Sequence, residues 1–488
     1  MRHMFTKRGL SLVLAIALTL SALLFAVSCG TTDEEETLPF DTTISTEAET
    51  ETQSAYDTVE KEKFDRDFTI LTREDTLEQF EVEKLTGDLL DDAIYERNTT
   101  VSHDFDIEFV VLNMSYDQLL LEMQRQVSSD LADYDLYTGH KFAFNSCVQN
   151  NYCYDLSTIV SLDLSQPWWD QNCLENLTIN GKTFLITGDI DPASMCISSC
   201  FVYNKKLLSD LGRSSSELNE LTRNGGWTLD VLYEYGNDVT KDMNGDGKID
   251  YASDRFNLTS WMMDVPYSLY YGAAGNFVTI VDGTPELTYT AEQVTGIYEK
   301  IYKIIIEQDA YFVTDLNQYA TCYEVFHGGR ALFCDITLGK ITDFISDMDD
   351  PYGIIPIPKY DTYQKEYLSF VNGATPFVMI GKSVEDPEYV GTIVEAMATY
   401  NYDKVTPMLF QVVTKLQAAQ DPESAAMVDY IIRNRIWDLG YYADWDITNL
   451  VRLGLMAEKA EISSDLVTQG KAATRSLKTM MRYFDKQQ

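Results

Sequence analysis

The chain has 488 residues, of which 77 are acidic and 37 basic, and its formal net charge is −40 at pH 7. Such an acidic surface repels phosphate backbones and anionic lipid headgroups, which argues against nucleic acid as a partner and against membrane attachment by charge alone. With 45% hydrophobic residues, the composition is that of a globular protein, and this length predicts two to four domains or two large lobes.

The N-terminus has the pattern of a bacterial lipoprotein signal. Basic residues precede an almost wholly apolar run over 10–27, and Ala26-Val27-Ser28-Cys29 resembles a lipobox. An uncleaved membrane span is the alternative, because the apolar run is near the lower length limit for a span. We predict a signal peptide over 1–28 and acylation of Cys29, for example with palmitate. That lipid would hold the protein on the extracellular face of a bacterial cell membrane.

The stretch after Cys29 differs in composition from the rest of the chain. Residues 30–62 are rich in Thr, Glu, Ser and Asp, and their apolar residues are isolated. Such a segment cannot bury enough surface to offset its ordering entropy, and its charges repel one another. We therefore predict a disordered acidic tether over 29–65 between the lipid anchor and a soluble body.

Cysteine spacing leaves the redox chemistry open. Seven cysteines follow Cys29, and export permits disulfides. Cys147 and Cys153 could close a short loop, as could Cys196 and Cys200, but connectivity does not follow from sequence. No C-x-x-C pair and no Cys/His cluster with zinc spacing occurs in the sequence.

Strand and helix patterns alternate at the start of the predicted body. Strands are predicted at 68–72, 107–112 and 135–139, with helices at 84–101 and 116–129 between them. This alternation is typical of an α/β fold with a largely parallel sheet. In open sheets of this kind, ligands bind beyond the carboxyl ends of the strands.

The remainder of the chain continues this mixture of strands and helices. A hairpin at 184–187 is predicted after the Asn180-Gly181 turn, and Thr228 is predicted to cap a helix. Further strands are predicted at 200–204, 256–259, 331–333 and 353–358, and further helices at 291–309, 384–400, 421–434 and from about 456 onward.

Five segments together carry a family resemblance. They are NGKTFLITGD (180–189), VYNKKLLSDLG (202–212), WTLDVLYEYGNDVT (227–240), FHGGRALF (326–333) and YGIIPIPKYDTYQKEYLSFVNG (352–373). With the lipobox, their order resembles extracellular solute-binding proteins of sugar-type ABC importers. That resemblance implies a periplasmic-binding-protein class II fold, in which two α/β lobes, each a mixed sheet flanked by helices, enclose a ligand cleft.

The resemblance also implies how the chain is divided. Lobe 1 is expected to contain 66–195 and 357–403, and lobe 2 is expected to contain 196–356 and 404–488. The expected function is capture of a carbohydrate, an oligosaccharide in the first instance, and its delivery to importer permease subunits by a monomer. Peptides and other solutes are alternatives within the same architecture. Crossings between the lobes are expected near 193–200, 350–366 and 400–406.

Candidate solute contacts come from the predicted strand ends and from aromatic residues. Sugars need flat aromatic faces for their CH surfaces and planar polar groups for their hydroxyls. Core packing is the alternative role for each tryptophan, and simple solvation is the alternative for each polar residue. The predicted ligand-binding residues are Arg73, Glu74, His140, Trp261, Asp335 and Trp445.

One segment has the pattern of a calcium loop. Residues 242–250 read D-x-N-x-D-G-x-x-D, with oxygen ligands at alternating positions and glycine at the sharp turn. The twelfth position is Ser253, so the usual final acid would be Asp254, and no exiting helix is evident. We predict a structural Ca²⁺, with an Asp/Gly-rich surface turn as the alternative. The predicted ligands are Asp242, Asn244, Asp246, Lys248 through its carbonyl, Asp250 and Asp254.

Enzyme signatures are absent from the sequence. It contains no H-E-x-x-H, G-x-S-x-G or Walker A motif, and nothing indicates an organic cofactor. Paired carboxylates for glycoside hydrolysis remain open because their separation is invisible in sequence. A binding protein without enzymatic activity is therefore the first hypothesis. A secreted carbohydrate-active hydrolase and a surface adhesin without a transport role are the alternatives.

Overall fold

A computed structural model describes residues 54–411 and 422–485. The predicted signal peptide, Cys29 and most of the predicted tether lie outside the described residues. Within the described ranges, no helix combines the length and the apolar character needed to cross a membrane.

Strands and helices alternate through the body. The strands are β1 (Arg66–Arg73), β2 (Ile107–Met114), β3 (Leu136–Gly139), β4 (Ser199–Asn204), β5 (Phe256–Trp261), β6 (Val278–Val281), β7 (Thr284–Leu287), β8 (Tyr311–Val313), β9 (Ala331–Thr337), β10 (Tyr352–Ile355), β11 (Ser369–Phe370), β12 (Phe377–Met379) and β13 (Arg435–Ile436). The helices are α1 (Leu89–Phe105), α2 (Tyr116–Ser128), α3 (Gln171–Leu177), α4 (Lys205–Asp210), α5 (Ser215–Arg223), α6 (Leu229–Gly236), α7 (Val265–Gly272), α8 (Ala291–Tyr302), α9 (Ala320–His327), α10 (Leu338–Phe344), α11 (Pro387–Tyr400), α12 (Pro422–Arg433), α13 (Leu439–Tyr442), α14 (Leu450–Met456) and α15 (Ser463–Asp485).

The first sheet has the strand order β12-β3-β1-β2. Strand β1 runs parallel to both β2 and β3, whereas β12 runs antiparallel to β3. Phe68, Ile70 and Leu71 of β1 are fully buried, and helix α2 packs against β1, β2 and β3. The predicted parallel arrangement is therefore confirmed for β1 to β3. Strand β12, which follows β3 by more than 200 residues, adds an antiparallel strand beside it.

The second sheet has the strand order β10-β4-β9-β5-β8. Strand β4 is antiparallel to β10 and β9, whereas β5 is parallel to β9 and β8. Every residue of β4 and β9 is buried, because side chains on both faces of the sheet are covered. Two mixed sheets flanked by helices thus form the α/β fold predicted from the sequence.

Three predicted elements differ in extent from those in the structure. Helix α1 begins at Leu89 and not at 84, because the Asp88 carboxylate caps it by accepting N–H bonds from Leu90 and Asp91. The predicted turn at Asn180-Gly181 is confirmed, because Ile179 and Lys182 form an antiparallel bridge around it, but the pairing does not extend to 184–187; Ile186 pairs instead with Val378 of β12 at the outer edge of the first sheet. The C-terminal segment is not helical throughout from 456, since a turn separates α14 from α15.

The predicted disordered tether extends too far along the chain. Tyr56 is buried at 7% exposure; its backbone N–H donates to Asp403 at 2.9 Å and its hydroxyl to Asp104 at 3.1 Å. Its ring lies edge-on to Tyr400, with ring centroids 5.2 Å apart. Ordered structure therefore begins by residue 54, because an isolated aromatic side chain in an acidic segment finds a partner surface on the body.

Three segments connect the sheets and contact one another. The Asn401 side-chain amide donates to the carbonyl of Asp189 at 2.7 Å, and the Thr406 hydroxyl donates to the Asp189 carboxylate. The backbone N–H of Asn372 donates to the carbonyl of Ile197 at 3.4 Å. These contacts bring the segments near 189–197, 372 and 401–406 together between the sheets. The boundaries of the two lobes within this region stay a prediction.

Candidate functional site

Several predicted contact residues lie at the carboxyl ends of strands in the first sheet. The parallel strands β1 and β3 end at Arg73 and Gly139, and β12 begins beside Gly139. His140 follows β3 directly, and Lys141 donates its backbone N–H to Gly373 in the loop before β12. One edge of this sheet therefore carries Arg73, His140 and the loop around Gly373.

Arg73 is held in place by bonds within the protein. Its side chain is 3% exposed, and its guanidinium binds Asp75 in a bidentate pair at 2.8 and 2.6 Å. The same group donates to the carbonyls of Gly139 at 2.9 Å and Ala374 at 2.8 Å. Arg73 therefore connects three loops at the sheet edge. Glu74 is exposed beside it, and a direct solute contact for either residue stays a prediction.

His140 lies in a stack of three rings. Its ring centroid is 5.2 Å from that of Tyr116 and 5.1 Å from that of Phe142. Burial, with the charges of Arg73 and Lys141, lowers the pKa of His140 to about 3, so its imidazole is neutral. Its Nδ1 atom is buried and has no hydrogen-bond partner among the described residues.

Trp261 lies at the carboxyl end of a strand in the second sheet. It is the last residue of β5, it is half-buried, and its ring centroid is 5.9 Å from that of Tyr319. The Lys340 ammonium lies 5.4 Å from the centroid of the Trp261 ring. The indole Nε1 is buried and finds no hydrogen-bond acceptor in the described part of the chain. Trp261 therefore combines a ring held by neighbours with an unused donor.

Asp335 is fully buried near the end of β9. Ser260 donates to its Oδ2 at 3.0 Å, and the Ser268 hydroxyl lies near the carboxylate, while Oδ1 has no geometrically complete hydrogen bond among the described residues. Burial and the charge of Asp264 raise the pKa of Asp335 to about 7. An unpaired buried carboxylate oxygen is costly, so this atom is suited to a hydroxyl donor from solute or water.

A polar chain that the sequence analysis missed joins the two sheet edges. Lys340 donates to Asp264 at 3.2 Å and to the Tyr323 hydroxyl at 3.1 Å. Asp264 also accepts a hydrogen bond from Asn372, which in turn accepts the backbone N–H of Ala374 at 2.8 Å. The Ala374 carbonyl is bound by Arg73 from the first sheet, so this chain couples both edges. In the sequence, this chain of hydrogen bonds is indicated only by the Asn372-Gly373 pair.

Trp445 is placed differently from its predicted role as an accessible stacking residue. It is buried at 6% exposure, and its backbone N–H donates to Gly440 at 2.9 Å. The neighbouring Asp444 does reach the first sheet's edge, because it pairs with Lys141 at 3.3 Å. Contact of Trp445 with solute stays a prediction.

Truncation of Trp445 is expected to affect the fold as well as any binding. Because its indole is buried, Trp445→Ala should lower the melting temperature besides weakening affinity for solute. Trp445→Phe, which keeps most of the ring volume, should lower it less. Thermal unfolding and titration calorimetry on both variants measure the two effects separately. An alanine variant that melts with the unaltered protein would contradict the burial argument.

Buried carboxyl groups make stability depend on pH. Burial raises the pKa of Asp189, Asp191 and Asp335 to about 7, that of Asp438 to about 6 and that of Glu395 to about 8. Each folded pKa exceeds the unfolded one near 4, so the stability these groups contribute is complete below that pH and is lost as pH rises through 6–8. We expect the free energy of unfolding to fall between pH 5.5 and 8, measured by denaturant titration. Asp335→Asn should reduce the slope, and an unchanged slope would contradict this assignment.

The predicted calcium loop is folded through its own side chains. Asp242 accepts backbone N–H bonds from Gly245 at 2.6 Å and Gly247 at 2.8 Å, and Asp254 accepts from Met243 and Asp250, both at 2.8 Å. Side-chain oxygens are the donors that Ca²⁺ prefers, so the residue types fit the ion. In the described ranges, however, no three acidic, His or Cys side chains are arranged to hold a metal. Binding would therefore require some carboxylates to exchange N–H donors for the ion.

Two surface grooves lie away from the predicted contact residues. One, of about 350 Å³, is lined by Glu60, Asp163 and Glu395 among others, and the second, of about 420 Å³, by Asp189 and Arg435 among others. Neither groove is lined by any of the six predicted ligand-binding residues. Groove shape alone therefore does not identify the site that the strand ends indicate.

Comparison with known proteins identifies the fold. No model of a protein family matches the sequence, and no curated protein matches it. A cyclo/maltodextrin-binding protein complexed with maltotetraose superposes with a TM-score of 0.55 at 12% identity, over 87% of this chain and 97% of that one. The chain has the two-lobed fold of these solute-binding proteins.

Further solved structures share this two-lobed fold. An ABC substrate-binding protein from Listeria monocytogenes in complex with cycloalternan has a TM-score of 0.54 at 12% identity, over 84% of this chain and 99% of that one. The maltose/maltodextrin-binding domain from Bdellovibrio bacteriovorus bound to maltotriose has a TM-score of 0.52 at 15% identity, over 86% of this chain and 100% of that one. The two-lobed class II fold predicted from the sequence is thereby confirmed.

Proposed function

We propose that the chain is an extracellular receptor that captures a carbohydrate by closure of its lobes and delivers it to the permease of an ABC importer. The observation that carries the proposal is a set of buried polar atoms at or near strand ends that have no hydrogen-bond partner among the described residues: His140 Nδ1, Trp261 Nε1 and Asp335 Oδ1. They lie in residues at the sheet edges where open α/β sheets bind ligands. The solved structures with the same fold, which bind sugars, support the carbohydrate class.

The chemistry of these atoms suits a neutral polyhydroxylated solute. Trp261 offers a hydrogen-bond donor, Asp335 offers an acceptor, and the neutral His140 serves as either according to its tautomer. Hydroxyl groups both donate and accept, so one sugar can pair with all three types. A solute that contacts both lobes stabilises the closed state by its differential affinity for that state.

A glycan screen tests the proposed receptor. We expect one class of oligosaccharide to raise the melting temperature and to bind stoichiometrically in calorimetry. The same ligand should lower the radius of gyration measured by X-ray scattering. The recovered glycan should be chemically unaltered after prolonged incubation. Release of shorter sugars would support the hydrolase alternative, whereas an absence of binding across glycans and peptides would support the adhesin.

The proposal includes an acylated Cys29 as anchor and a monomeric receptor that docks on permease subunits. The sequence around Cys29 and the acidic segment after it support this location. A net charge of −40 makes lipid chains the natural means of attachment, because headgroup attraction is unavailable to so acidic a surface.

We also propose a structural Ca²⁺ in the loop over 242–254. Adding Ca²⁺ to chelator-treated protein should raise the melting temperature, because an ion that binds only the folded state stabilises it by mass action. Asp242→Asn should abolish the shift, while Asp282→Asn, in the turn between β6 and β7, should leave it intact. Solute affinity should change little in either variant. A melting temperature insensitive to Ca²⁺ and chelator would contradict the site.

A further inference from the structure

The first described residues of the chain form a strap across helices α1 and α11. The name strap is used here for residues 54–64. Phe64 donates its backbone N–H to the carbonyl of Phe105 in α1 at 2.8 Å, and its ring centroid lies 4.6 Å from that of Tyr389 in α11. Val59 and Phe64 pack, partly buried, against the core cluster of the first sheet. The strap is therefore attached to both helices.

The N-terminal end of the strap binds a turn that follows α11. This connecting turn is the π-helical segment Asn401–Val405. The Asp403 carboxylate accepts hydrogen bonds from the Ser54 hydroxyl at 2.5 Å and from the backbone N–H of Tyr56 at 2.9 Å. Ser54 and Tyr56 precede Asp403 by 349 and 347 residues, so these bonds are tertiary restraints on the turn.

Tyr56 holds this end of the strap against the body. Its side chain is buried, and its ring lies edge-on to that of Tyr400, the residue just before the connecting turn. The Tyr56 hydroxyl donates to Asp104 in α1 at 3.1 Å, and the Lys61 ammonium lies 3.9 Å from the centroid of the Tyr56 ring. The contact with the turn is therefore supported by packing as well as by hydrogen bonds.

The connecting turn is also bonded to the segment that leads to the second sheet. Asn401 is fully buried, and its side-chain amide donates to the carbonyls of Asp189 at 2.7 Å and Ile190 at 3.3 Å. The Thr406 hydroxyl, directly after the turn, donates to the Asp189 carboxylate. The turn thus has two sets of restraints, one from the strap through Asp403 and one from the segment before β4.

Movement of one sheet relative to the other requires changes of φ and ψ in the segments that connect them, and such hinges are usually a few residues at the ends of elements. The connecting turn has this position at the end of α11. We propose that the strap is a clamp on the connecting turn: by binding Asp403 it restricts the conformations of the turn and, through them, the relative movement of the two sheets. The inference rests on the proposed function, because lobe closure is the movement that the clamp restricts.

The clamp links the N-terminal segment to the state of the body. The predicted tether and the predicted anchor at Cys29 directly precede the strap in the sequence. Coupling free energies are reciprocal, so a movement of the sheets that alters the turn alters the docking of the strap by the same factor. The point at which the tether joins the body is therefore sensitive to lobe position.

Hydrogen exchange of the full chain, followed by mass spectrometry without solute, tests the clamp. Asp403→Ala removes the acceptor of both strap bonds, so amides of the strap and of residues 401–406 should exchange about fivefold faster or more. Tyr56→Ala should act in the same direction, because it removes the ring that packs beside the turn. Asp57→Ala is the matched control, since Asp57 is an exposed strap residue whose carboxylate is not bonded to the turn in the described structure.

The pattern of exchange decides the outcome. Faster exchange in the strap and the connecting turn, with the strands of the second sheet unchanged, supports the clamp. Faster exchange confined to the strap, or spread equally over the second sheet, overturns it. An effect of Asp57→Ala as large as that of Asp403→Ala also overturns it.

X-ray scattering tests the restriction of sheet movement. In the described conformation the two sheet edges are joined by the bond between Asp264 and Asn372, so positions that become available without the clamp are less compact. The radius of gyration of Asp403→Ala should therefore exceed that of the unaltered protein and of Asp57→Ala. An equal radius in all three proteins overturns the coupling to sheet movement. Both measurements omit solute, so a failed glycan screen would count against the proposed function and leave these results unchanged.

Discussion

Trp261→Ala is expected to weaken solute affinity by about 30-fold or more, which corresponds to roughly 2 kcal/mol. The substitution removes both a half-buried aromatic face at the end of β5 and the unpaired Nε1 donor. Stability should fall less than affinity, because the ring is only half-buried and packs at the margin of the core cluster. Titration calorimetry with a glycan identified in the screen measures the effect.

Two further variants separate stacking from hydrogen bonding at this position. Trp261→Phe keeps a flat face without the N–H group, so it should recover part of the lost affinity. Tyr363→Ala serves as the control, since Tyr363 is 91% exposed and its removal should leave affinity unchanged. If Trp261→Ala binds as tightly as the unaltered protein, Trp261 does not contact the solute and the proposed site is misplaced.

Trp227→Ala is expected to lower the free energy of unfolding by about 3–5 kcal/mol. The indole is fully buried, and its Nε1 donates to the carbonyl of Pro356 at 2.9 Å. Its ring lies 5.4 Å from that of Phe333 and 6.4 Å from that of Phe201, measured between centroids. Truncation leaves a large cavity beside the second sheet and an unpaired carbonyl oxygen.

The measurement for Trp227 is denaturant unfolding followed by circular dichroism. Trp227→Phe should cost less than the alanine variant, because it fills most of the volume and loses only the hydrogen bond to Pro356. Solute affinity of the folded fraction should be preserved in both variants, since Trp227 lies in the core and not at the sheet edge. Unfolding of Trp227→Ala at the unaltered midpoint would show that this packing contributes little.

Local patterns were sufficient to predict most strands and helices. The apolar run Phe68-Thr69-Ile70-Leu71-Thr72 predicts β1, and Thr228 caps α6 as expected by accepting the N–H of Val231. Both signals consist of residues that are adjacent in the sequence, so they can be recognised without knowledge of the tertiary structure. Asp88 shows the limit of prediction from local patterns. It caps α1, so the helix begins at Leu89, five positions after the predicted residue 84.

Hydrogen bonds and ion pairs between residues far apart in the chain could not be predicted from local patterns. Asn372 and Asp264 are 108 residues apart and share a hydrogen bond, and Lys141 and Asp444 are 303 residues apart and form an ion pair. No periodicity links such positions, because their contact depends on how the two sheets and the connecting segments are arranged. The polar chain between the sheet edges could therefore be recognised only in the folded molecule.

The sequence alone determined the acidic surface, the alternation of strands and helices, and the residues that follow strand ends, because composition and period are properties of adjacent residues. Only the tertiary structure decided which of those residues are available. It pairs the donors of Arg73 within the protein, buries Trp445 and leaves polar atoms of His140, Trp261 and Asp335 without partners in the part of the chain that the structure describes. The physical reason is that burial and hydrogen-bond pairing are set by neighbours in space, most of which lie far away along the chain.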